Sequence, residues 1–231
     1  ADSHRLDFPF LAGSSLPVTW RLPDVDVPLG AVIEDAIMVG VGGSDPMDYH
    51  ALEAMQCMLE RRKGGERGIR SVEWLDGPAV WKWRDGAGRW SVPLLEAAFA
   101  CAPSVKPGRM EDNVKTPGAF LIEYHDGLKA VAYMINGHTS GWTFAGQVKG
   151  SAQPLATHFG QPRDSGRSRP LAHFDGLVHC MEEMFVTGKP LYPVDRTLLT
   201  TCALSILFES RAWKKRIETP ELRIAYRTPR D

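Results

Sequence analysis

The chain has 231 residues, of which 43% are hydrophobic and 24% charged, enough apolar surface to offset the entropy of ordering, which excludes a disordered chain. Lys and Arg total 27 against 28 Asp and Glu, a net charge of −1. That leaves no overall field to draw nucleic acid or an anionic membrane surface, and no uncharged apolar run approaches the roughly 18 residues of a membrane span.

Taken in chain order, the run Phe8 to Ala12 reads as a short buried strand ahead of Gly13, Ser14 and Ser15. Pro17, Pro23 and Pro28 suit an extended connection. Ala36 to Val41 reads as a strand closed by Gly42 and Gly43. A helix follows, with Tyr49, Leu52, Met55, Met58 and Leu59 at the three-and-four spacing of one face. Ser44 or Asp45 is placed to cap it, Pro46 suits its first turn, and Gly64 and Gly65 stop it. Ile69 to Trp74 reads as a strand. Val80 to Trp83 reads as another, which would put Trp81 and Trp83 on one face.

Pro93 to Cys101 reads as a short helix and Ser104 to Lys115 as a polar loop. Ala119 to Tyr124 and Leu128 to Asn136 flank the hairpin signal His125, Asp126, Gly127, and Trp142 to Gly150 is a third strand. Ala152 to Pro170, rich in Gly, Pro and Arg, reads as a mobile loop. Phe174 to Thr187 is a helix with Leu177, Val178, Met181, Met184 and Phe185 on one face, where His179 is expected as a core residue. Asp195 to Trp213 is a further helix, and Glu218 to Tyr226 reads as a closing strand. Strands are grouped and helices are grouped, which predicts an α+β fold: an open, mainly antiparallel sheet with helices packed on one face.

Four cysteines, Cys57, Cys101, Cys180 and Cys202, lack CxxC or Cys/His ligand spacing. They read as free thiols in a reducing compartment, so a cytoplasmic protein is expected.

Three passages in this order carry a resemblance. Gly42 to Glu53 (GGSDPMDYHALE) is similar to a segment in which a carboxylate and a His precede an H-x-x-D helix. Phe174 to Pro193 is similar to a helix, short turn and G-x-P passage. Asp195 to Ser210, followed by Arg216 to Leu222, is similar to a long late helix with Glu-Ser near its end. Together, over roughly residues 8–226, they resemble the C-terminal domain of Gfo/Idh/MocA-type oxidoreductases, which act on sugars, inositols and related polyols with NAD(P). Residues 12–21 and 48–66 resemble, more narrowly, a poorly described bacterial branch of that family.

The resemblance implies a small carbohydrate or polyol as ligand, and a homodimer or higher oligomer formed through the outer sheet face. It also implies a preceding Rossmann domain with a G-x-G-x-x-G turn. Here Gly40, Gly42 and Gly43 follow a strand without the third glycine or a ribose-binding acid. Residues 1–15 then read as the remnant of a nucleotide-binding domain and 16–231 as the substrate-binding and oligomerisation domain. No cofactor is expected on this chain alone; NAD(P) is implied for a full-length parent.

His50 stands at the family-like position of a general acid/base on a sugar hydroxyl. The carboxylate four residues before it is replaced by Pro46, so Asp45 or Asp48 is the candidate to fix its tautomer. Glu53, His138, Trp81 and Trp83 are candidate substrate contacts, the two indoles as a sugar-stacking platform and Glu53 from the same helix as His50. Asp48, His50 and Glu53 also form D-x-H-x-x-E, a possible two-residue grip on a divalent metal that His138, His173 or His179 could complete; a solvated capping cluster is the plainer reading, and no metal is assigned. Arg61 to Lys63 with Arg67 and Arg70 reads as a solvated helix end. Two alternatives stay open: a cofactor-independent glycoside hydrolase or lyase using Asp45, Asp48, His50 and Glu53, and a non-catalytic oligomeric scaffold.

Overall fold

A computed structural model of the chain describes residues 5–6, 8–43, 45–160 and 172–228. Its order is β1 (Arg21–Leu22), β2 (Ile33–Gly40), α1 (Pro46–Leu59), β3 (Ile69–Asp76), α2 (Pro78–Asp85), α3 (Val92–Cys101), β4 (Ser104–Val105) and α4 (Met110–Asn113). Then come β5 (Gly118–Tyr124), β6 (Lys129–Met134), β7 (Thr139–Ser140), β8 (Trp142–Val148), β9 (Leu155–Phe159), α5 (Asp175–Thr187), α6 (Asp195–Trp213) and β10 (Ile217–Glu218). Eight strands form one sheet in the order β1-β9-β8-β2-β6-β5-β3-β10. β2 and β6 run parallel; the other neighbours are antiparallel. The α+β class and the mainly antiparallel sheet are as expected.

Alternation along each strand divides the interior in two. Ala36, Met38, Phe120, Ile122, Ala132 and Phe144 face a core closed by α1 and α6. Ile37, Val39, Leu121, Val131, Tyr133 and Ala145 face a second core that α2 and α3 close with Val80, Leu94, Leu95 and Ala98. The main helices lie on one face as expected, and two shorter ones also cover the centre of the other. What stays open on that second face toward β3 carries ion pairs, Arg216 with Glu73 at 3.2 Å and Arg70 with Glu123 at 3.3 Å.

Several segments depart from the sequence reading. Val80 to Trp83 is helical, because Pro78 occupies the first turn of α2 after the left-handed Gly77. Trp81 and Trp83, two residues apart, therefore do not share a face. Phe8 to Ala12 forms no strand, and Ser104 to Lys115 holds β4 and α4. The Gly- and Pro-rich stretch from residue 152 contains β9, paired to β8 and β1; residues 161–170 of that predicted loop lie outside the described residues. The closing strand shrinks to β10, since Pro220 starts a short 3-10 turn, and Tyr226 keeps only an isolated bridge to Glu66.

α5 differs in packing rather than in extent. Phe185 is 82% exposed, Val178 and Met181 also face solvent, and only Cys180 is buried. Its first turn is pinned where Gly176 meets the Val18 carbonyl, which a Cβ would approach to 2.0 Å. His179, expected in the core, is exposed because it projects from this outward face.

The expected reduced thiols are four free cysteines, two of them buried. No helix among the described residues is long and apolar enough to cross a membrane.

Candidate functional site

α1 leaves the C-terminal end of β2 and presents its first turns at the end of the sheet. Successive residues on a helix are about 100° apart, so Asp48 and His50 project about 200° apart, on opposite flanks. Glu53 points between His50 and the buried side. One short motif therefore serves three surroundings.

On the first flank, Asp48 is buried and its Oδ2 accepts the Asp45 N–H at 2.9 Å, closing the helix start. Burial raises its pKa. Asp45 itself is exposed, with φ of 59°. Asp48 lines a groove of about 400 Å³ together with Trp74, Asp76, Lys115, Asn136 and Arg211. Asp76 accepts from the Trp74 indole at 2.8 Å and from Arg211 at 2.9 Å, and the Arg211 guanidinium lies 4.7 Å from the Trp74 ring centre. Carboxylates, an amide and cations around one groove supply both donors and acceptors, the requirement for binding several hydroxyls.

On the opposite flank, the half-buried His50 ring meets Ser14 Oγ, 2.7 Å from its Nδ1. The Trp142 ring stands 6.2 Å away, edge-on. Burial lowers the His50 pKa and the nearby His173 lowers it further. Neither Asp45 nor Asp48 holds the His50 ring: the partner at Nδ1 is a hydroxyl on the loop before the first 3-10 turn. Residues 12–15 are thereby tied into the domain. Ser14 N–H reaches Glu53 Oε2 at 3.3 Å, and Thr197 donates to the Ala12 carbonyl at 2.9 Å.

Glu53, expected to touch substrate, is fully buried. Its Oε1 accepts from Thr200 at 2.6 Å, and burial raises its pKa. Beside it burial pushes the Tyr49 hydroxyl up to about 12, with Glu53 adding to the rise. Glu53 is an internal acceptor that fixes α6 and the Ser14 loop onto α1. His138 is only 6% exposed; its Nδ1 lies 3.1 Å from the Asn113 amide, and Phe99 packs edge-on at 5.2 Å. Its turn is held for packing, and burial lowers its pKa. Trp83 packs on Trp90 at 6.0 Å and Tyr133 at 6.3 Å in the second core, while Trp81 carries Arg84 on its ring. They form no common stacking platform. Glu111, from the expected loop, pairs with Arg84 at 2.5 Å. Among the described residues no three His, Cys, Asp or Glu side chains gather as a metal site.

Ser14 is the site residue that sequence reasoning missed. It lies 36 residues from His50, and only the Gly13-Ser-Ser punctuation marked it.

The glycine turn after β2 does not fit a dinucleotide. Gly42 has φ of +110°, and a Cβ there would lie 2.3 Å from Met47 Cγ, so Met47 packing explains the glycine. The Asn136 side chain already accepts the Gly42 N–H and donates to its carbonyl. Glu60, at the distance where a ribose-binding acid would stand, is buried in an ion pair with Arg196.

No protein-family profile matches the sequence, and no curated protein matches it. Solved structures do. Myo-inositol 2-dehydrogenase from Lactobacillus plantarum superposes with a TM-score of 0.49 at 9% identity, over 81% of this chain and 57% of that one. GenD2 from gentamicin A biosynthesis, in complex with NAD, gives 0.48 at 15% identity, over 82% and 56%. Scyllo-inositol dehydrogenase from Lactobacillus casei, with bound NAD(H) and scyllo-inositol, gives 0.47 at 11% identity, over 81% and 56%. The chain spans little more than half the length of each.

Proposed function

We propose that this chain is the substrate-binding part of a sugar or polyol oxidoreductase of the Gfo/Idh/MocA type, with the dinucleotide bound by a domain other than the one described. The observation that carries the reading is the half-buried His50 held by Ser14 at 2.7 Å on one flank of the α1 N-terminus, with the polar groove of Asp48, Asp76, Asn136 and Arg211 on the other. In this reading the groove holds ligand hydroxyls through paired donors and acceptors, and His50 supplies acid/base chemistry on the opposite flank of α1. NAD(P) would supply hydride chemistry from outside these residues, and this chain binds and orients. The homo-oligomer implied by the resemblance belongs to the same reading, and sedimentation velocity measures it.

Isothermal titration of the chain with inositols, hexoses and NAD(H) tests it. A cyclitol or sugar should bind, and Asp76→Asn should weaken that binding at least about tenfold, the scale of losing one charge-assisted hydrogen bond. Tight NAD(H) binding by this chain, or no binding by any polyol, refutes it.

A further inference from the structure

Resting on that reading, we infer that Ser14 is a positioning residue that holds His50 as the Nε2–H tautomer, so the site offers its ligand a hydrogen-bond donor and favours a carbonyl oxygen over a hydroxyl.

The inference follows from counting donors and acceptors around one hydroxyl. Ser14 is 3% exposed, so its polar atoms must find partners inside the protein. Its Oγ already accepts the Leu16 N–H at 3.1 Å. The hydroxyl hydrogen needs an acceptor, and among the described residues only His50 Nδ1, at 2.7 Å, is in reach. An imidazole nitrogen can accept only while unprotonated. The neutral ring must then carry its proton on Nε2. The opposite tautomer would leave the serine hydrogen buried without a partner, as would the doubly protonated ring.

Every element packed on the ring agrees. From α1, Tyr49 sits 5.9 Å away and is neutral, with its hydroxyl pushed up to about 12. From β8, Trp142 presents an uncharged edge. Glu53, three residues on in α1, spends its Oε2 on the Ser14 N–H and its Oε1 on Thr200, and among the described residues no carboxylate bonds to the ring. His173, ahead of α5, disfavours a charge on the ring. None of these groups stabilises an imidazolium.

A neutral Nε2–H imidazole does not remove a proton from a hydroxyl. It polarises a carbonyl by donating to it. The site at rest thus suits the keto form of a cyclitol or sugar, which is the ligand of the reductive direction.

Nitrogen-15 NMR of the histidine-labelled chain tests the tautomer, with the His50 signals assigned by their loss in His50→Gln. The wild-type ring should show Nε2 protonated and Nδ1 bare as a single tautomer. Ser14→Ala should give a mixed population, and Ser14→Thr, which keeps the hydroxyl, should restore the wild-type pattern. Protonated Nδ1 in the wild type, or an unchanged tautomer in folded Ser14→Ala, overturns the inference; the wild-type spectrum decides even where Ser14→Ala fails to fold. Titration with a cyclitol and its corresponding ketone completes the test. Tighter ketone binding supports the donor role and tighter alcohol binding overturns it. Binding of neither refutes the polyol reading, while the NMR result still stands or falls by itself.

Discussion

Replacing Arg196 by Met should be among the most damaging single changes in this chain. The Arg196 guanidinium grips Glu60 with two bonds, Nε to Oε2 at 2.8 Å and Nη2 to Oε1 at 2.5 Å, and the side chains are 5% and 1% exposed. Removing the cation leaves Glu60 buried with the Tyr226 hydroxyl, 3.0 Å away, as its remaining donor among the described residues. An uncompensated buried carboxylate costs about 3–5 kcal/mol. One offset works against this: Arg196 Nη1 is buried without an acceptor, so the native pair already carries an unmet donor worth about 1–3 kcal/mol. Methionine also retains contact with the Tyr192 ring that Arg196 now covers at 4.6 Å. The lower end, about 3 kcal/mol, is therefore expected, or roughly 6–12 °C in Tm for a chain of this size. Urea unfolding and calorimetry measure it. Adding Glu60→Gln removes the stranded charge and should recover about 2 kcal/mol relative to the sum of the two single changes. A loss below about 1 kcal/mol for Arg196→Met, or strict additivity in the double variant, would refute the picture of a desolvated pair at the α1–α6 junction.

Two further outcomes follow from the same packing. Glu53 has a folded pKa raised above its ordinary 4.5 by burial, so the folded state binds its proton more tightly than the unfolded state. That stabilisation is fully present below pH 4.5 and is lost as the pH rises through the folded value; Glu53→Gln, which cannot titrate, should lose less urea resistance than wild type over that rise, and a constant difference between the two curves would contradict it. Gly176→Ala should destabilise the chain by about 1–3 kcal/mol, because the new Cβ meets the Val18 backbone carbonyl at 2.0 Å and α5 has to move; a neutral effect in thermal melts would show that α5 is not pinned there.

Periodicity made the scaffold legible and misled where it was short. α1 and α6 each sustain a three-and-four apolar pattern over several turns, and the hairpin of β5 and β6 carries Asp126 and Gly127 at its turn, so α6 and the hairpin matched the sequence closely, while α1 ends at Leu59, short of the Gly64 stop. Trp81-Lys82-Trp83 alternates over three residues only, which fits a strand or a helix, and Pro78 was the signal that decides. β9 was hidden because its alternation, Leu155 to Phe159, sits between Gly- and Pro-rich flanks. The α5 pattern named the helix correctly but not its burial, since an apolar stripe says which residues align and not what covers them. At the site, the sequence offered Asp45 or Asp48 as the partner of His50, whereas the ring's partner is a hydroxyl 36 residues away that carries no local mark.

The geometry of α1 also bears on the hydrolytic alternative. Cleaving a glycosidic bond takes two carboxyl groups facing one another across a single bond, roughly 5–10 Å apart with the substrate between them. Spacing alone let Asp48 and Glu53 stand as such a pair around His50. The helix defeats this: Asp48 opens onto the groove of Trp74 and Asp76, His50 turns to the opposite flank, and Glu53 is fully buried and held by Thr200 and the Ser14 backbone. Bringing Glu53 to a substrate would break the contacts that seat α6 and residues 12–15. The carboxylates around His50 thus serve as a helix cap and an internal brace. The half-buried imidazole beside them is held at Nδ1 by Ser14, and a single neutral donor suits the polarisation of a carbonyl better than hydrolysis.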